Sequence, residues 1–118
     1  MIQQIRFFLG LEVLIFLSAA LIHFDVLLGG YPDRSAGIAE SVIAGVLLLG
    51  LIISLARPPS TRAAGLAAQI FALLGTFVGV TLLFVVGPRT TVDIVIHLVM
   101  VLALIAGLVV TARSPATV

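Results

Sequence analysis

Four long apolar stretches, separated by short polar joints, constrain the fold of this chain more than any other feature. A helix needs about 20 apolar residues to cross a hydrocarbon core of about 30 Å. The chain has 118 residues, of which 62% are hydrophobic and 9% charged, whereas a soluble domain has about 25% charged residues. We therefore predict an all-α integral membrane protein, a four-helix up-down bundle in contact with the lipid bilayer. The stretches run from Phe7 to about Gly29, from Ser35 to Ala56, from Ala63 to Gly87 and from about Thr91 to Ala112.

The joints between the stretches contain residues that end helices. All five prolines lie in a joint or in the C-terminal tail, and proline is unfavourable inside a helix. The predicted helices are therefore about 5–29, 35–56, 63–87 and 91–112, within a single domain of residues 1–118. A cleaved signal peptide is the alternative for the first stretch, but its length and the interruption by Glu12 favour a retained helix.

The arginines are distributed unevenly between the two sides of such a bundle. Loops rich in arginine face the cytoplasm, which predicts a plasma or inner membrane protein with both termini in the cytoplasm. The opposite side carries four carboxylates and two arginines. The predicted cytoplasmic arginines are Arg6, Arg57, Arg62 and Arg113, and the outer charges are Asp25, Asp33, Glu40, Asp93, Arg34 and Arg89.

Composition excludes several classes of function. Without cysteine the chain has no disulfide, no thiolate metal site and no thiol nucleophile. A formal charge of +1 and the absence of a basic, aromatic-rich cluster argue against nucleic acid binding. No serine has a neighbouring base in a recognisable pattern, so we predict no catalytic residue, and whether the chain is an enzyme stays open.

Four ionisable residues from three helices are predicted to gather near the outer end of the bundle. At a rise of about 1.5 Å per residue, His23, Glu40, Asp93 and His97 all lie within roughly 5 to 12 Å of the outer turns. Ionisable groups inside a membrane normally face the bundle interior and pair with one another. Asp93 and His97 are four residues apart, which places them on one helix face and lets the carboxylate orient the imidazole. The residues expected at the rim are Asp25, Arg34 and Arg89.

The cluster has three interpretations. Two imidazoles and two carboxylates are a ligand set for a divalent zinc, iron, manganese or copper ion, or a pocket for a small polar ligand. The same residues also fit a purely structural hydrogen-bonded network with Arg34 or Arg89. As a third interpretation, His23 and His97 are axial ligands of a haem, although the nearby carboxylates make this less attractive.

Glu12 is a separate feature of the first helix. It precedes His23 by eleven residues, which places it within about 20° of the same helix face and about 16 Å away. Gln69 enters at a similar depth from the third helix and is its expected hydrogen-bond partner. A buried carboxyl group there suits a proton-coupled small-molecule transporter, or else joins two helices structurally in an accessory membrane subunit.

Small residues at helical spacing predict close helix contacts, either within the chain or between two copies in a homodimer. Glycine and alanine let helix backbones approach closely inside a membrane. The residues concerned are Ala64, Ala68, Ala72, Gly75 and Gly79 on the third helix and Ala103 and Gly107 on the fourth.

Overall fold

A computed structural model describes residues 1–85 and 90–116 and confirms the all-α bundle. Within these residues there are four long helices and no strand. A single 3-10 turn, Pro58–Ser60, joins the second helix to the third. The helices are α1 (Ile2–His23), α2 (Arg34–Ala56), α3 (Thr61–Val85) and α4 (Thr91–Arg113).

The helices run up and down along a common axis. Each of the four is long and apolar enough to cross a bilayer. The longest dimension of the molecule, 45 Å, is close to the thickness of a bilayer with its headgroups, about 40–45 Å. Large apolar side chains cover the outside of the bundle, among them Phe7, Leu14 and Val85, which are 64%, 62% and 76% exposed. Such a surface suits lipid, so the chain is an integral membrane protein.

The bundle interior is filled by large side chains from three helices and by close backbone contacts at small residues. Leu9, Phe16, Leu47 and Leu104 are fully buried. At Gly50 an added Cβ would lie 2.9 Å from the Cβ of Ala68, so α2 and α3 are nearly in backbone contact there. The small residues at the centre of the predicted α3 stripe, Ala68 and Ala72, are therefore used inside the chain, and the homodimer stays a prediction.

Helix α1 ends six residues earlier than the sequence predicts. Asp25 has a left-handed backbone with φ of 64°, and its carboxylate accepts a hydrogen bond from the Gly30 N–H at 3.0 Å. The Asp33 N–H then donates to the His23 carbonyl at 2.8 Å, which folds the chain back over the helix end. The apolar residues at 26–28 belong to this loop, and hydropathy alone cannot distinguish them from a continuing helix.

The other helix bounds lie close to the predicted ones. Helix α2 begins one residue earlier and α4 ends one residue later than predicted, and α1 and α3 begin three and two residues earlier. The predicted end of the third helix, at residues 86–87, lies outside the described residues.

Charge separates the two ends of the bundle. We call them the carboxylate end and the arginine end. Which of them faces the cytoplasm stays a prediction. The carboxylate end holds Asp25, Asp33, Glu40 and Asp93, and the arginine end holds Arg6, Arg57, Arg62 and Arg113.

Candidate functional site

His23 joins two carboxylates from two other helices at the carboxylate end. It is the last residue of α1 and is 2% exposed. Its Nδ1 lies 2.5 Å from Glu40 Oε1 on α2, and its Nε2 lies 2.9 Å from Asp93 Oδ1 on α4. The structure thus brings three of the four predicted cluster residues into direct contact.

The position of the Asp93 carboxylate is fixed by the start of α4. Thr90 is the N-cap, and its hydroxyl oxygen accepts a hydrogen bond from the Asp93 N–H at 3.1 Å. The same hydroxyl donates to Asp93 Oδ2 at 2.8 Å, which leaves Oδ1 for His23. Sequence reasoning missed Thr90, although a threonine followed three residues later by an acidic residue is a capping signal that identifies it.

With one proton in each of the two hydrogen bonds and none elsewhere, the three groups carry one net negative charge. Carboxylate oxygens without a proton only accept, so each of the two hydrogen bonds contains one shared proton. Glu40, Asp93 and a fully deprotonated imidazole have a combined charge of about −3, and two protons bring this to about −1. Among the described residues no arginine forms an ion pair with either carboxylate. In this two-proton state one negative charge is not balanced by a cation among the described residues.

The second carboxylate oxygen of Glu40 lacks a hydrogen-bond donor among the described residues. The Glu40 side chain is 7% exposed, and its Oε2 is buried without a hydrogen-bond partner in the described part of the chain. A buried acceptor without a donor costs about 1–3 kcal/mol, and more when it is charged. A hydrogen-bond donor from outside the described residues would therefore stabilise this oxygen.

Glu40 and Asp93 line a cavity of about 510 Å³ between the helices. The α1–α2 loop contributes Tyr31 and Pro32 to its wall, and Phe16 lies toward the middle of the bundle. The cavity thus has a polar, negatively charged side and apolar walls. The apolar lining includes Phe16, Ile43, Val78, Leu82, Leu83 and Met100.

His97 lines the cavity but bonds differently from the prediction. Its Nδ1 donates to the backbone carbonyl of Asp93 at 2.7 Å, because that carbonyl lies one turn earlier on α4. The Asp93 carboxylate turns to His23 instead. Nδ1 donation leaves Nε2 of a neutral His97 ring as an acceptor.

The geometry gives little support to a metal or a haem. Both ring nitrogens of His23 are engaged by carboxylates, and coordination requires a nitrogen lone pair. Among residues 1–85 and 90–116 no group of three or more histidine or acidic side chains is arranged to hold a metal ion.

Two of the three predicted rim residues lie at the rim. Asp25 is exposed in the α1–α2 loop, where it accepts the hydrogen bond from Gly30. Arg34 is exposed at the start of α2 and lines a shallow surface depression beside His23. Arg89 lies outside the described residues.

A second polar site is buried in the half of the bundle nearer the arginine end. Glu12 and Gln69 are both fully buried, and the structure places them in the predicted contact. Gln69 Nε2 lies 3.1 and 3.2 Å from the two Glu12 oxygens, and the Thr111 hydroxyl lies 2.8 Å from Gln69 Oε1. Sequence reasoning missed Thr111, since a single threonine in an apolar helix carries no distinguishing signal.

Comparison with protein-family models, with curated proteins and with solved structures finds no match for this chain. Fold alone does not define function, so the chemistry of the two sites is the basis for inferring it.

Proposed function

We propose that the cavity at the carboxylate end binds a small organic cation, an amine with an apolar tail. The observation that carries this proposal is that Glu40 lines the cavity while its buried Oε2 has no hydrogen-bond partner among the described residues. An ammonium group supplies both things that this wall needs, a hydrogen-bond donor and one positive charge. The apolar lining accommodates the tail, as in most small-molecule sites, where few polar groups set the orientation.

A divalent metal ion, which the residue types alone suggest, fits this arrangement less well. To coordinate it, His23 would have to give up a proton from a nitrogen that now bonds a carboxylate. Metal binding would then release protons and depend strongly on pH. An amine binds to the present arrangement without any proton being released.

The distribution of arginines supports an orientation for the cavity. With the arginine end in the cytoplasm, the cavity opens on the extracytoplasmic side of the membrane. The proposed ligand is therefore taken from outside the cell or from the periplasmic face.

Tyr31 provides a built-in probe of binding. It is the only tyrosine, the chain has no tryptophan, and the residue lines the cavity. Purified protein in lipid nanodiscs is titrated with hexylammonium while Tyr31 emission is recorded. Hexanol and hexanoate serve as uncharged and negatively charged controls with the same tail. We expect a saturable change with hexylammonium only.

The Glu40→Gln variant tests the assignment of the binding group. A hydrogen bond to a charged group contributes about 1.5–3 kcal/mol, so this change should weaken hexylammonium binding by about 10-fold to 100-fold. The matched control is Asp25→Asn, which removes the same charge at the same end but outside the cavity lining. Unchanged affinity in Glu40→Gln would overturn the proposal. Saturation by Zn²⁺ with proton release, without any response to hexylammonium, would replace it with a metal site.

A further inference from the structure

Glu12 is a buried carboxyl group that forms no ion pair with any cation in the described part of the chain. Among the described residues its only polar partner is the uncharged amide of Gln69. An isolated carboxylate in a medium of low dielectric constant is very unfavourable, and such a group normally takes up a proton. Arg6, the nearest cation on α1, is held by Ser54, to which it donates at 2.9 and 2.7 Å.

The charged groups on the other helices also point elsewhere. Arg62 on α3 donates to the Ala112 carbonyl at 3.2 Å, and Arg113 on α4 is exposed. At the level of Glu12, helix α2 contributes Leu47 and Gly50 to the interior, and neither titrates. Only neutral groups therefore face this carboxyl group in the described structure.

The hydrogen bonds around Thr111 indicate two arrangements. Its hydroxyl has one hydrogen, yet two acceptors lie 2.8 Å away, Gln69 Oε1 and the Gly107 carbonyl. If the Gln69 amide is reversed, its NH₂ donates to Thr111 and Thr111 donates to Gly107. The amide oxygen then faces Glu12, where it accepts a hydrogen bond from a protonated carboxyl group. In this arrangement the carboxyl proton, the Thr111 hydroxyl proton and one of the two amide hydrogens each have an acceptor.

In the amide orientation that the structure shows, the hydrogen bonds suit a deprotonated Glu12 and not a protonated one. Gln69 then donates to the carboxylate, and Thr111 donates to the amide oxygen. The oxygen and nitrogen of an amide are nearly equal in size, so both orientations fit the same space. The two networks differ by one proton on Glu12 and a half-turn of the Gln69 amide.

We propose that Glu12, Gln69 and Thr111 form a proton-binding site with two states, in which reversal of the Gln69 amide accompanies uptake and release of a proton by Glu12. The site does not depend on what the cavity at the carboxylate end binds. It is a second site, built from α1, α3 and α4 and separate from the cavity.

The surroundings of the site define the side from which the proton comes. Toward the arginine end, the buried Ser114, which is the C-cap of α4, follows Thr111 by three residues. Toward the carboxylate end, Phe16 lies one turn after Glu12 and lines the cavity together with Met100. These apolar side chains separate Glu12 from the cavity. The proton therefore exchanges with the arginine end.

Carbon-13 NMR of protein labelled at the glutamate carboxyl carbon tests this site directly. The chain has two glutamates, Glu12 and Glu40, and each signal is assigned from its Glu→Gln variant. In lipid bilayers, with circular dichroism confirming that the protein stays folded, we expect the Glu12 signal to move between its acid and carboxylate positions as pH rises. The nitrogen-15 signal of the Gln69 side chain should move with the same midpoint. A Glu12 signal that does not change with pH overturns the proposal.

A matched pair of threonine variants tests the role of the network. Thr111→Val removes the hydroxyl that bonds Gln69, whereas Thr81→Val removes a hydroxyl that bonds only its own helix, at the Phe77 carbonyl. We expect Thr111→Val to shift the Glu12 midpoint by about half to one pH unit, as the loss of one neutral hydrogen bond predicts. Equal midpoints in the two variants would contradict the two-state network.

Discussion

Each of the two polar sites includes a residue of α1 and faces the same interior. Their buried carboxyl groups differ in the partners that they bond. At the carboxylate end, His23 shares protons with Glu40 and Asp93, and with two shared protons the group carries one negative charge beside a cavity. Nearer the arginine end, the polar partner of Glu12 among the described residues is the neutral amide of Gln69. Burial alone therefore does not define the role of a carboxyl group in a membrane, because its partners determine whether it stays charged.

The two sites also depend on different features of the backbone. The site at the carboxylate end is held by a helix cap at Thr90 and by the loop that folds back onto His23. The Glu12 site is held by close approach to α4. An added Cβ at Gly107 would lie 2.6 Å from Gln69 Nε2, 3.2 Å from the Phe8 Cβ, and closer still to Glu12 Oε1.

The largest effect on stability is expected from His23→Phe. The change keeps a ring but removes the group that joins two carboxylates, and breaking a buried ion pair costs about 3–5 kcal/mol. Unfolding by SDS in mixed micelles measures the loss. His97→Phe is the control, since His97 bonds a backbone carbonyl and no carboxylate, and its loss should be much smaller. Equal losses in the two variants would mean that the contacts of His23 with the two carboxylates contribute no additional stability.

A smaller effect is expected from Gly107→Ala. The added methyl group would push Glu12 and Gln69 apart, and overpacking of an interior typically costs about 1–3 kcal/mol. Gly45→Ala is the matched control in α2, because no atom lies within 4 Å of a Cβ added there. The same unfolding measurement should show no loss for this control. A Gly107→Ala variant as stable as Gly45→Ala would contradict the close packing of the Glu12 site.

The smallest effect is expected from Glu12→Gln. A glutamine has the shape of a protonated glutamate and can still exchange a hydrogen bond with the reversible amide of Gln69. The change in unfolding free energy should therefore stay below about 1 kcal/mol, the contribution of one neutral hydrogen bond. A loss as large as that of His23→Phe would show that Glu12 is a paired charge, and the contrast between the two sites would disappear.

The sequence predicts most of the fold because the bilayer imposes one strong requirement, a run of about 20 apolar residues for each crossing. The bounds of α2 and α4 follow within one residue. The end of α1 does not follow, because the left-handed backbone of Asp25 and its bond to Gly30 are local features that hydropathy does not register.

The sequence predicts that the polar residues of the site lie at one depth in the bundle. It does not predict which of them form hydrogen bonds with each other. Spacing within α4 favoured a bond between the Asp93 carboxylate and His97, yet that carboxylate bonds His23 on another helix. Such contacts depend on how the helices are rotated about their axes. Packing at small residues such as Gly50 and Gly107 determines this rotation, and it cannot be read from one helix at a time.

Nitrogen-15 NMR of the histidine rings in lipid bilayers tests whether His23 joins Glu40 and Asp93. The chain has two histidines, and a His97→Asn variant leaves only the His23 signals. We predict that both ring nitrogens of His23 show strong hydrogen bonds. Nδ1 should show dipolar coupling to the carboxyl carbon of Glu40, and Nε2 should show it to the carboxyl carbon of Asp93. A His23 ring with one nitrogen free of any carboxyl group would show that His23 does not join the two carboxylates.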